Sequence, residues 1–369
     1  MGLLLERAPV GSYLVLGEVR LMATSDWDLL RPLTVTVEAS STRVLERQVS
    51  SEFTRRTTVV ELEGNGFVGV GEDVTYESDE HAPVRFPSPR LAGTWTLGEL
   101  SAHLDAFDLF PAGAPAQAAS RDYRRWAFES AALDLALQQA GVSLADAVKR
   151  TPAPVRFCVS TRASSLDPLL ALYPGTRFKL DASPEWDTVF IAGLAALGVV
   201  DVVDLKGAYK GTVVDLAPEP RLYERVATGL PTVWIEDPGL TPETDSVLAP
   251  HRDRFTWDAP IHSFEDVEAL PYPPRCLNSK PSRFGTLERL FTFYARCEAA
   301  GIALYGGGQF ELGPGRGQIQ LLASLYHPDG PNDTAPAGYN APEPVPGLET
   351  SPLEPHPAAT GFRRVVPES

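Results

Sequence analysis

From about residue 155 onward, short apolar strands alternate with helical segments, and this alternation limits the folds that the chain can adopt. Seven such strands occur between residues 155 and 305, each followed by a helical pattern. A regular alternation of this kind indicates βα units whose strands run parallel. Seven or eight such units close into a (β/α) barrel, so the sequence predicts an α/β protein built on a TIM barrel. The predicted strands are residues 155–160, 177–180, 199–205, 232–235, 254–257, 275–279 and 302–305.

The first third of the chain has a different pattern, in which strands come first and helices follow. Residues 33–38 alternate between apolar and polar side chains, as a half-buried strand does. The sequence Gly64-Asn65-Gly66 is a tight-turn signal between two further strands. Strands followed by helices predict an α+β domain in front of the barrel. The other predicted strands are residues 12–22, 57–61 and 67–70, and the predicted helices are residues 97–107 and 124–140.

These two patterns divide the chain into three parts. We predict an α+β domain over residues 1–120 and a barrel over residues 121–335. The remaining residues, 336–369, are rich in proline and show little periodicity. We expect this tail either to pack back on the N-terminal domain or to be partly disordered.

Composition and charge exclude several classes of protein. The chain has 48 acidic against 32 basic residues and a net charge of −16, which argues against a nucleic-acid partner. The longest apolar run, residues 190–200, is far shorter than the ~20 residues that cross a bilayer, and the N-terminus lacks a signal-peptide pattern. The cysteines Cys158, Cys276 and Cys297 form no C-x-x-C pair, so neither a thiolate zinc site nor a disulfide framework is expected. We expect a cytoplasmic protein without membrane partners and leave a homo-oligomer open.

Acidic residues end three successive barrel strands. Asp204, Glu236 and Asp258 follow the third, fourth and fifth strands, at intervals of 32 and 22 residues. Each interval is about one βα unit, which would put the three carboxylates side by side on the barrel rim. Carboxylate oxygens are the ligands of a hard divalent cation, and this pattern predicts Mg²⁺ as the cofactor. The alternative is that these acids only cap the following helices.

Short motifs accompany this series of acids. Residues 277–285 read Leu-Asn-Ser-Lys-Pro-Ser-Arg-Phe-Gly, with Lys280 at the end of the sixth strand, and residues 307–311 read Gly-Gly-Gln-Phe-Glu. Earlier in the chain, residues 69–72 read Gly-Val-Gly-Glu, and residues 129–136 read Glu-Ser-Ala-Ala-Leu-Asp-Leu-Ala. In this order and spacing, the set resembles the enolase superfamily, nearest its muconate cycloisomerase and o-succinylbenzoate synthase group. The resemblance covers about residues 10–325.

The resemblance implies a fold, a chemistry and a set of site residues. The fold is a (β/α)7β-type TIM barrel with an α+β N-terminal capping domain. The chemistry is that of a lyase or isomerase that removes the proton α to the carboxylate of an organic acid, giving an enediolate stabilised by Mg²⁺. Asp204, Glu236 and Asp258 would hold the metal, and Lys280 would be either the proton acceptor or the cation that faces the intermediate. Cycloisomerisation, β-elimination by a dehydratase and epimerisation remain open, as does a degenerate relative that binds a carboxylate ligand without turnover.

Two departures from the family pattern leave catalytic roles open. The second strand carries Arg177-Phe178-Lys179-Leu180-Asp181 where the family has Lys-x-Lys, so either Lys179 or Asp181 occupies the position of the second base. The third strand ends in Asp204-Leu205-Lys206 where the family has Asp-x-Asn. Lys206 is a displaced catalytic lysine, an anchor for the substrate carboxylate, or a lysine that is turned to solvent or paired with Asp181.

Four residues are candidates for contact with a small-molecule carboxylate substrate. Trp27 lies in residues 23–31, a segment that covers the active site in the family, although Trp27 could equally pack on the capping domain. Gln309 and Glu311 belong to the motif that follows the seventh strand. Asp333 either closes the site from an eighth strand or is a turn residue.

Overall fold

The computed structural model describes residues 25–49, 53–162, 165–209 and 215–365. Its N-terminal part consists of a three-stranded antiparallel sheet in the order β2-β3-β4 and an antiparallel pair, β1 with β5. The predicted strand at residues 12–22 lies outside the described residues. The elements are helix α1 (Trp27–Leu30) and strands β1 (Thr34–Val37), β2 (Ala39–Gln48), β3 (Thr54–Gly64), β4 (Phe67–Asp73) and β5 (Gly93–Thr96).

Local signals fix the hairpin and the helices of this part. Asn65 and Gly66 join β3 to β4 with φ angles of 51° and 79°, which confirms the predicted tight turn. Helix α2 (Leu97–Asp105) begins with a capping box between Thr96 and Glu99. We call this unit, β1–β5 with α2, the cap.

A long helix joins the cap to the barrel. Helix α3 (Ser120–Ala140) packs against β4 and ends at Gly141, which has a left-handed φ of 71°. A Cβ atom at Gly69 or Gly71 would lie 2.2 Å or 2.1 Å from a backbone oxygen of α3. The glycines of this motif therefore allow the helix to lie directly on the strand.

Parallel strands form the barrel, as the βα alternation predicted. β6 to β10 pair in chain order, β11 pairs with β12, and the backbone N–H of Asn278 donates to Trp257 at 3.0 Å between these two groups. An eighth position closes the ring, because Asn332 pairs with Phe157 and Asp333 pairs with Gly307. The strands are β6 (Cys158–Thr161), β7 (Arg177–Asp181), β8 (Val200–Asp204), β9 (Trp234–Glu236), β10 (Phe255–Thr256), β11 (Cys276–Ser279) and β12 (Ala303–Gly306).

A helix follows each of these seven strands in the described chain. After β7 the sequence Ser183-Pro184 predicts a helix with Ser183 as its N-cap and Pro184 at its first position, but the observed helix starts later. The helix begins four residues later, at Thr188, because the Asp187 side chain accepts the Phe190 N–H at 2.8 Å. The Ser183 hydroxyl accepts the N–H of Glu185 in a turn. The remaining helices are α4 (Leu144–Val148), α5 (Asp167–Leu172), α6 (Thr188–Leu197), α7 (Pro220–Gly229), α8 (Pro242–Leu248), α9 (Phe264–Glu268), α10 (Leu287–Ala300) and α11 (Pro314–Tyr326).

The C-terminal segment packs on α3 and on the barrel. Leu353 pairs with Val155, and the Phe362 ring contacts Trp126 edge-on at 6.4 Å between ring centroids. Arg363 forms an ion pair with Asp134 of α3. The division into residues 1–120, 121–335 and 336–369 stays a prediction.

None of the helices in the described part of the chain is long and apolar enough to cross a lipid bilayer.

Candidate active site

Parallel pairing aligns acidic residues at the C-terminal ends of neighbouring barrel strands, an end that we call the mouth. Asp181 on β7 pairs with Asp204 on β8, and Asp204 pairs with Glu236 on β9. Thr256 on β10 pairs with Glu236, so Asp258 lies two residues beyond this row. Residues two apart on a strand project to the same side, so all these side chains converge. Asp204, Glu236 and Asp258 are each 0% exposed.

A fourth carboxylate, that of Asp237, completes a compact group of acids. Carboxylate oxygens of Asp204, Glu236, Asp237 and Asp258 all lie within 4.8 Å of one another. The oxygens of Asp237 accept the backbone N–H groups of Asp258 and Ala259, each at 2.9 Å. The other three carboxylates form a buried oxygen donor set of the kind that Mg²⁺ takes, so these residues fit the predicted metal.

Two lysine side chains lie among these acidic side chains. The Lys179 ammonium, on a side chain that is 2% exposed, bonds to Glu236 and lies 3.6 Å from Asp204 Oδ2. The Lys206 ammonium bonds to Asp204 Oδ2 and lies 3.1 Å from Asp181 Oδ1. Lys179 and Asp181 project from the same side of β7, but the Asp181 side chain is 13% exposed and therefore closer to solvent.

Lys280 occupies the opposite side of the group, beside Asp258. Its Nζ atom lies 2.9 Å from Asp258 Oδ2, and Arg283 Nη1 lies 2.9 Å from Asp258 Oδ1. The Tyr209 hydroxyl donates to Asp258 Oδ2 at 2.8 Å. A Cβ atom at Gly307 would lie 2.9 Å from Lys280 Cε, so the glycine makes room for the lysine chain.

Burial and neighbouring charges separate the protonation behaviour of two adjacent acids. Burial raises the pKa of Asp258, but Arg283 and Lys280 outweigh it and hold that pKa well below its usual range. Burial, together with the charges of Asp204 and Asp258, raises the pKa of Asp237 to about 7. Asp258 therefore stays ionised as a candidate metal ligand, while Asp237 is close to its titration point at neutral pH.

The distribution of lysine across the chain is uneven. The sequence has five lysines, and three of them, Lys179, Lys206 and Lys280, contact this one group of acids. At the mouth these lysines offset part of the negative charge of the four clustered carboxylates, Asp204, Glu236, Asp237 and Asp258.

The cap reaches the mouth through Gln309, in the loop after β12. The amide of Gln309 donates to the Tyr123 hydroxyl and accepts from the Tyr76 hydroxyl, both at 3.1 Å. Arg55 of the cap donates to the Gln309 carbonyl oxygen at 2.8 Å. Gln309 is 3% exposed, so the structure ties this predicted substrate contact to the cap.

Glu311 lies in the same loop as Gln309, and Asp333 lies after helix α11. Glu311 is 5% exposed, and its carboxylate lies 3.4 Å from Arg316. Asp333 is in the eighth barrel position and close to the lysines. Burial raises its pKa, and the charges of Lys179 and Lys280 act against this rise. Asp333 therefore lies within electrostatic reach of Lys179 and Lys280.

Trp27 lies at the other end of the barrel and not over the mouth, which was one of the two placements that the sequence left open. Asp26, next to it, accepts hydrogen bonds from Arg150 and Tyr326, each at 2.8 Å. Arg150 and Tyr326 line a cavity together with Cys276 and Ala303, the first residues of β11 and β12. The Trp27 indole itself is 6% exposed and belongs to the hydrophobic core. The structure therefore does not bring Trp27 to the acids.

No role was predicted from the sequence for three residues of the site, Asp237, Arg283 and Tyr305. Asp237 follows Glu236 directly, so its position at the end of the fourth strand could have been recognised from the sequence. Arg283 stands in the Pro-Ser-Arg motif, but its contact with Asp258 depends on how the turn after β11 folds back. The Tyr305 hydroxyl donates to Glu236 from inside the barrel, and nothing in the local sequence signals this contact.

Two family models match the chain. The model described as "Domain of unknown function (DUF8230) N-terminal domain" matches residues 28–147, and that described as "Domain of unknown function (DUF8230) C-terminal domain" matches residues 151–341. A search of curated proteins gives no match.

Solved structures with a similar fold belong to the enolase superfamily. A dipeptide epimerase from Methylococcus capsulatus, complexed with Mg and the dipeptide L-Arg-D-Lys, is 19% identical over 84% of this chain and 93% of its own, with a TM-score of 0.60. The muconate cycloisomerase from Pseudomonas fluorescens is 17% identical over 82% and 87%, with a TM-score of 0.59. A muconate lactonizing enzyme from Pseudomonas fluorescens, complexed with muconolactone, is 18% identical over 81% and 88%, with a TM-score of 0.58. These likenesses confirm the predicted fold, a TIM barrel with an N-terminal cap.

Proposed function

The chain belongs to the DUF8230 family and has the enolase-superfamily fold, and on that premise we propose that it abstracts a proton α to the carboxylate of a small organic acid in a Mg²⁺-dependent lyase or isomerase reaction. One observation carries the proposal. Three buried carboxylates converge at the mouth, and Lys280 lies beside them with a side chain that remains 10% exposed.

Asp204, Glu236 and Asp258 would hold the cation. When bound, Mg²⁺ offsets the second negative charge that the substrate carboxylate gains as the α-proton leaves. The hydrogen bond from the Tyr305 hydroxyl orients Glu236, and the bonds to Tyr209 and Arg283 orient Asp258. These contacts hold the carboxylates in place before a ligand arrives, which supports a preorganised site.

Lys280 is the proposed base. A lysine accepts a proton only as the free amine, and Lys280 must then hold that proton at Nζ within hydrogen-bond reach of the substrate α-carbon. Its contact with Asp258 Oδ2 at 2.9 Å and the space left by Gly307 fix the direction of its chain. On the facing strand, Asp181 is the better candidate than Lys179 for the second acid–base group, because its side chain is more exposed.

Proton exchange with solvent tests the proposal whichever product the reaction forms. We would incubate the protein with MgCl₂ in D₂O and follow loss of α-proton signals by NMR, using a panel of dipeptides, lactones and other carboxylic acids. Dipeptides and muconolactone head this panel because they are bound in two of the similar structures. We expect exchange in at least one member of the panel.

Lys280→Ala should lower that exchange by about 10²–10⁴-fold, the usual contribution of a general base. Lys149→Asn is the matched control, because Lys149 is exposed at a helix end with a φ of 56°, a conformation that asparagine accepts. Exchange at the parental rate in Lys280→Ala would exclude Lys280 as the base and favour Lys206.

A second candidate function is binding of a carboxylate ligand without turnover. It is favoured by one observation: Lys179, Lys206 and Lys280 already contact the three ligand carboxylates. In that case panel members would raise the melting temperature, with no α-proton exchange at any protein concentration. The closer resemblance to o-succinylbenzoate synthase and the cytoplasmic location stay predictions.

A further inference from the structure

Lys206 differs from the other two lysines of the site in its carboxylate partners. Its ammonium bonds to Asp204 and also lies 3.1 Å from Asp181, which is not one of the three proposed metal ligands. Lys179 contacts Glu236 and Asp204, and Lys280 contacts Asp258, so both have proposed metal ligands as partners. Lys206 therefore bridges a metal ligand and a carboxylate outside the ligand set.

We propose that Lys206 competes with the divalent cation for Asp204, and that Asp181 accepts the Lys206 ammonium when the cation binds. This inference rests on the proposed function, because it assumes that Asp204 is a ligand. If it is correct, the affinity of the site for Mg²⁺ is lowered by a side chain of the protein itself.

The local geometry allows the ammonium to move while the backbone stays in place. The backbone N–H of Lys206 donates to Asp204 Oδ1 at 2.9 Å, and Lys206 has a φ of 55°. These two features hold the Cα atom beside Asp204. The ammonium touches the other oxygen, Oδ2, and Asp181 Oδ1 is already within ion-pair distance. A rotation of the side chain alone takes the Lys206 ammonium away from Asp204 Oδ2.

Charge explains why the movement is needed. A divalent cation and an ammonium at the same carboxylate oxygen repel each other, and the repulsion is strong in a site that excludes water. The Asp204 side chain is 0% exposed, whereas those of Lys206 and Asp181 are 12% and 13% exposed. Transfer to Asp181 moves the positive charge toward solvent and keeps it paired. Arg162, at 2.7 Å from Asp181 and 63% exposed, already shares that carboxylate.

Calorimetric titration of MgCl₂ into four forms of the full chain tests the competition: the parent, Lys206→Met, Asp181→Asn and the double variant. Methionine removes the charge and, like lysine, bears a Cβ at the positive φ, so the backbone cost is unchanged. We expect Lys206→Met to bind Mg²⁺ about tenfold or more tightly. Asp181→Asn should bind several-fold more weakly, because the displaced ammonium has lost its acceptor.

The double variant separates competition from a structural role. If Asp181 acts only through Lys206, the double variant should bind Mg²⁺ as tightly as Lys206→Met, which is a non-additive cycle. Arg162→Gln controls for the ion pair that Asp181→Asn also removes, and it should leave the affinity unchanged or slightly higher. Circular dichroism should show that all forms are folded.

The outcomes distinguish this inference from the proposed function. If the parent binds Mg²⁺ and Glu236→Gln does not, but Lys206→Met binds no more tightly than the parent, the competition is refuted and the metal site stands. Additive effects in the double variant would also contradict it. If neither the parent nor Lys206→Met binds Mg²⁺, both the inference and the proposed function fail.

Discussion

Asp237 accepts the backbone N–H of Asp258 at 2.9 Å, so the end of one barrel strand holds a residue at the end of the next. A second bond, to the N–H of Ala259, uses the other carboxylate oxygen. Asp237 directly follows Glu236 in the chain. The two bonds therefore fix the spacing between two proposed metal ligands, Glu236 and Asp258, which no local sequence pattern could set.

Asp237→Ala should lower the free energy of unfolding by about 2–4 kcal/mol, because two buried N–H groups lose their acceptor. Asp237→Asn should cost roughly half as much, since its amide oxygen still accepts one bond and asparagine tolerates the φ of 48° at this position. Urea denaturation followed by circular dichroism measures the free energy of unfolding of both variants. Asp253→Ala is the control, because that side chain is 54% exposed. Equal stability of Asp237→Ala and Asp253→Ala would contradict the role of these bonds.

The barrel could be predicted from the sequence because its signals are local and repeated. Each predicted strand from 155–160 to 302–305 overlaps an observed strand, since buried parallel strands read as short apolar runs between helical patterns. Helix starts were harder to predict. Ser183 and Asp187 are both capping residues, and only the folded chain shows that Asp187 bonds to the helix N–H.

The position of Trp27 could not be predicted because it depends on contacts that are distant in sequence. Asp26 bonds to Arg150 and to Tyr326, which are 124 and 300 residues away along the chain. The same limit applies to Tyr305, whose bond to Glu236 crosses the barrel interior. The acids themselves were predictable, because strand ends in parallel units meet at one edge.

Gly307→Ala should impair the base without removing the metal site. The added Cβ atom would lie 2.9 Å from Lys280 Cε and 3.0 Å from Asn278 Oδ1, so Lys280 must move. A displacement of about 1 Å at a catalytic group costs roughly 10²-fold in rate. We expect α-proton exchange to fall by about this factor, while Mg²⁺ affinity measured by calorimetry changes little.

Gly175→Ala is the matched control, because nothing lies within 4 Å of its Cβ position. It should exchange at the parental rate. If Gly307→Ala also exchanges at that rate, the glycine is not what positions Lys280.

The buried ring of His327 should make the protein less stable as the pH falls. Its Nδ1–H donates to Asn332 Oδ1 at 2.7 Å, and burial lowers its pKa to about 4. The unfolded chain takes up a proton at about pH 6.5, whereas the folded chain does so only near pH 4. Between these values the unfolded state binds more protons, so stability decreases with falling pH, by about 3 kcal/mol in total from this group.

Melting temperatures between pH 4 and pH 7 measure this effect in the parent and in His327→Gln, which lacks the titrating ring. We expect a shallower pH dependence in the variant over the window from 6.5 down to 4. The same slope in both proteins would show that His327 is not the group responsible.

The most direct test of the metal site is calorimetric titration of MgCl₂ into the parent, Glu236→Gln and Glu243→Gln. Glu236 is 0% exposed among the converging acids, and Glu243 is an exposed glutamate on the helix that follows the same strand. We predict that the parent and Glu243→Gln bind one Mg²⁺ with equal affinity and that Glu236→Gln shows no binding. Binding of Mg²⁺ to Glu236→Gln with the parental affinity would contradict the assignment of this site.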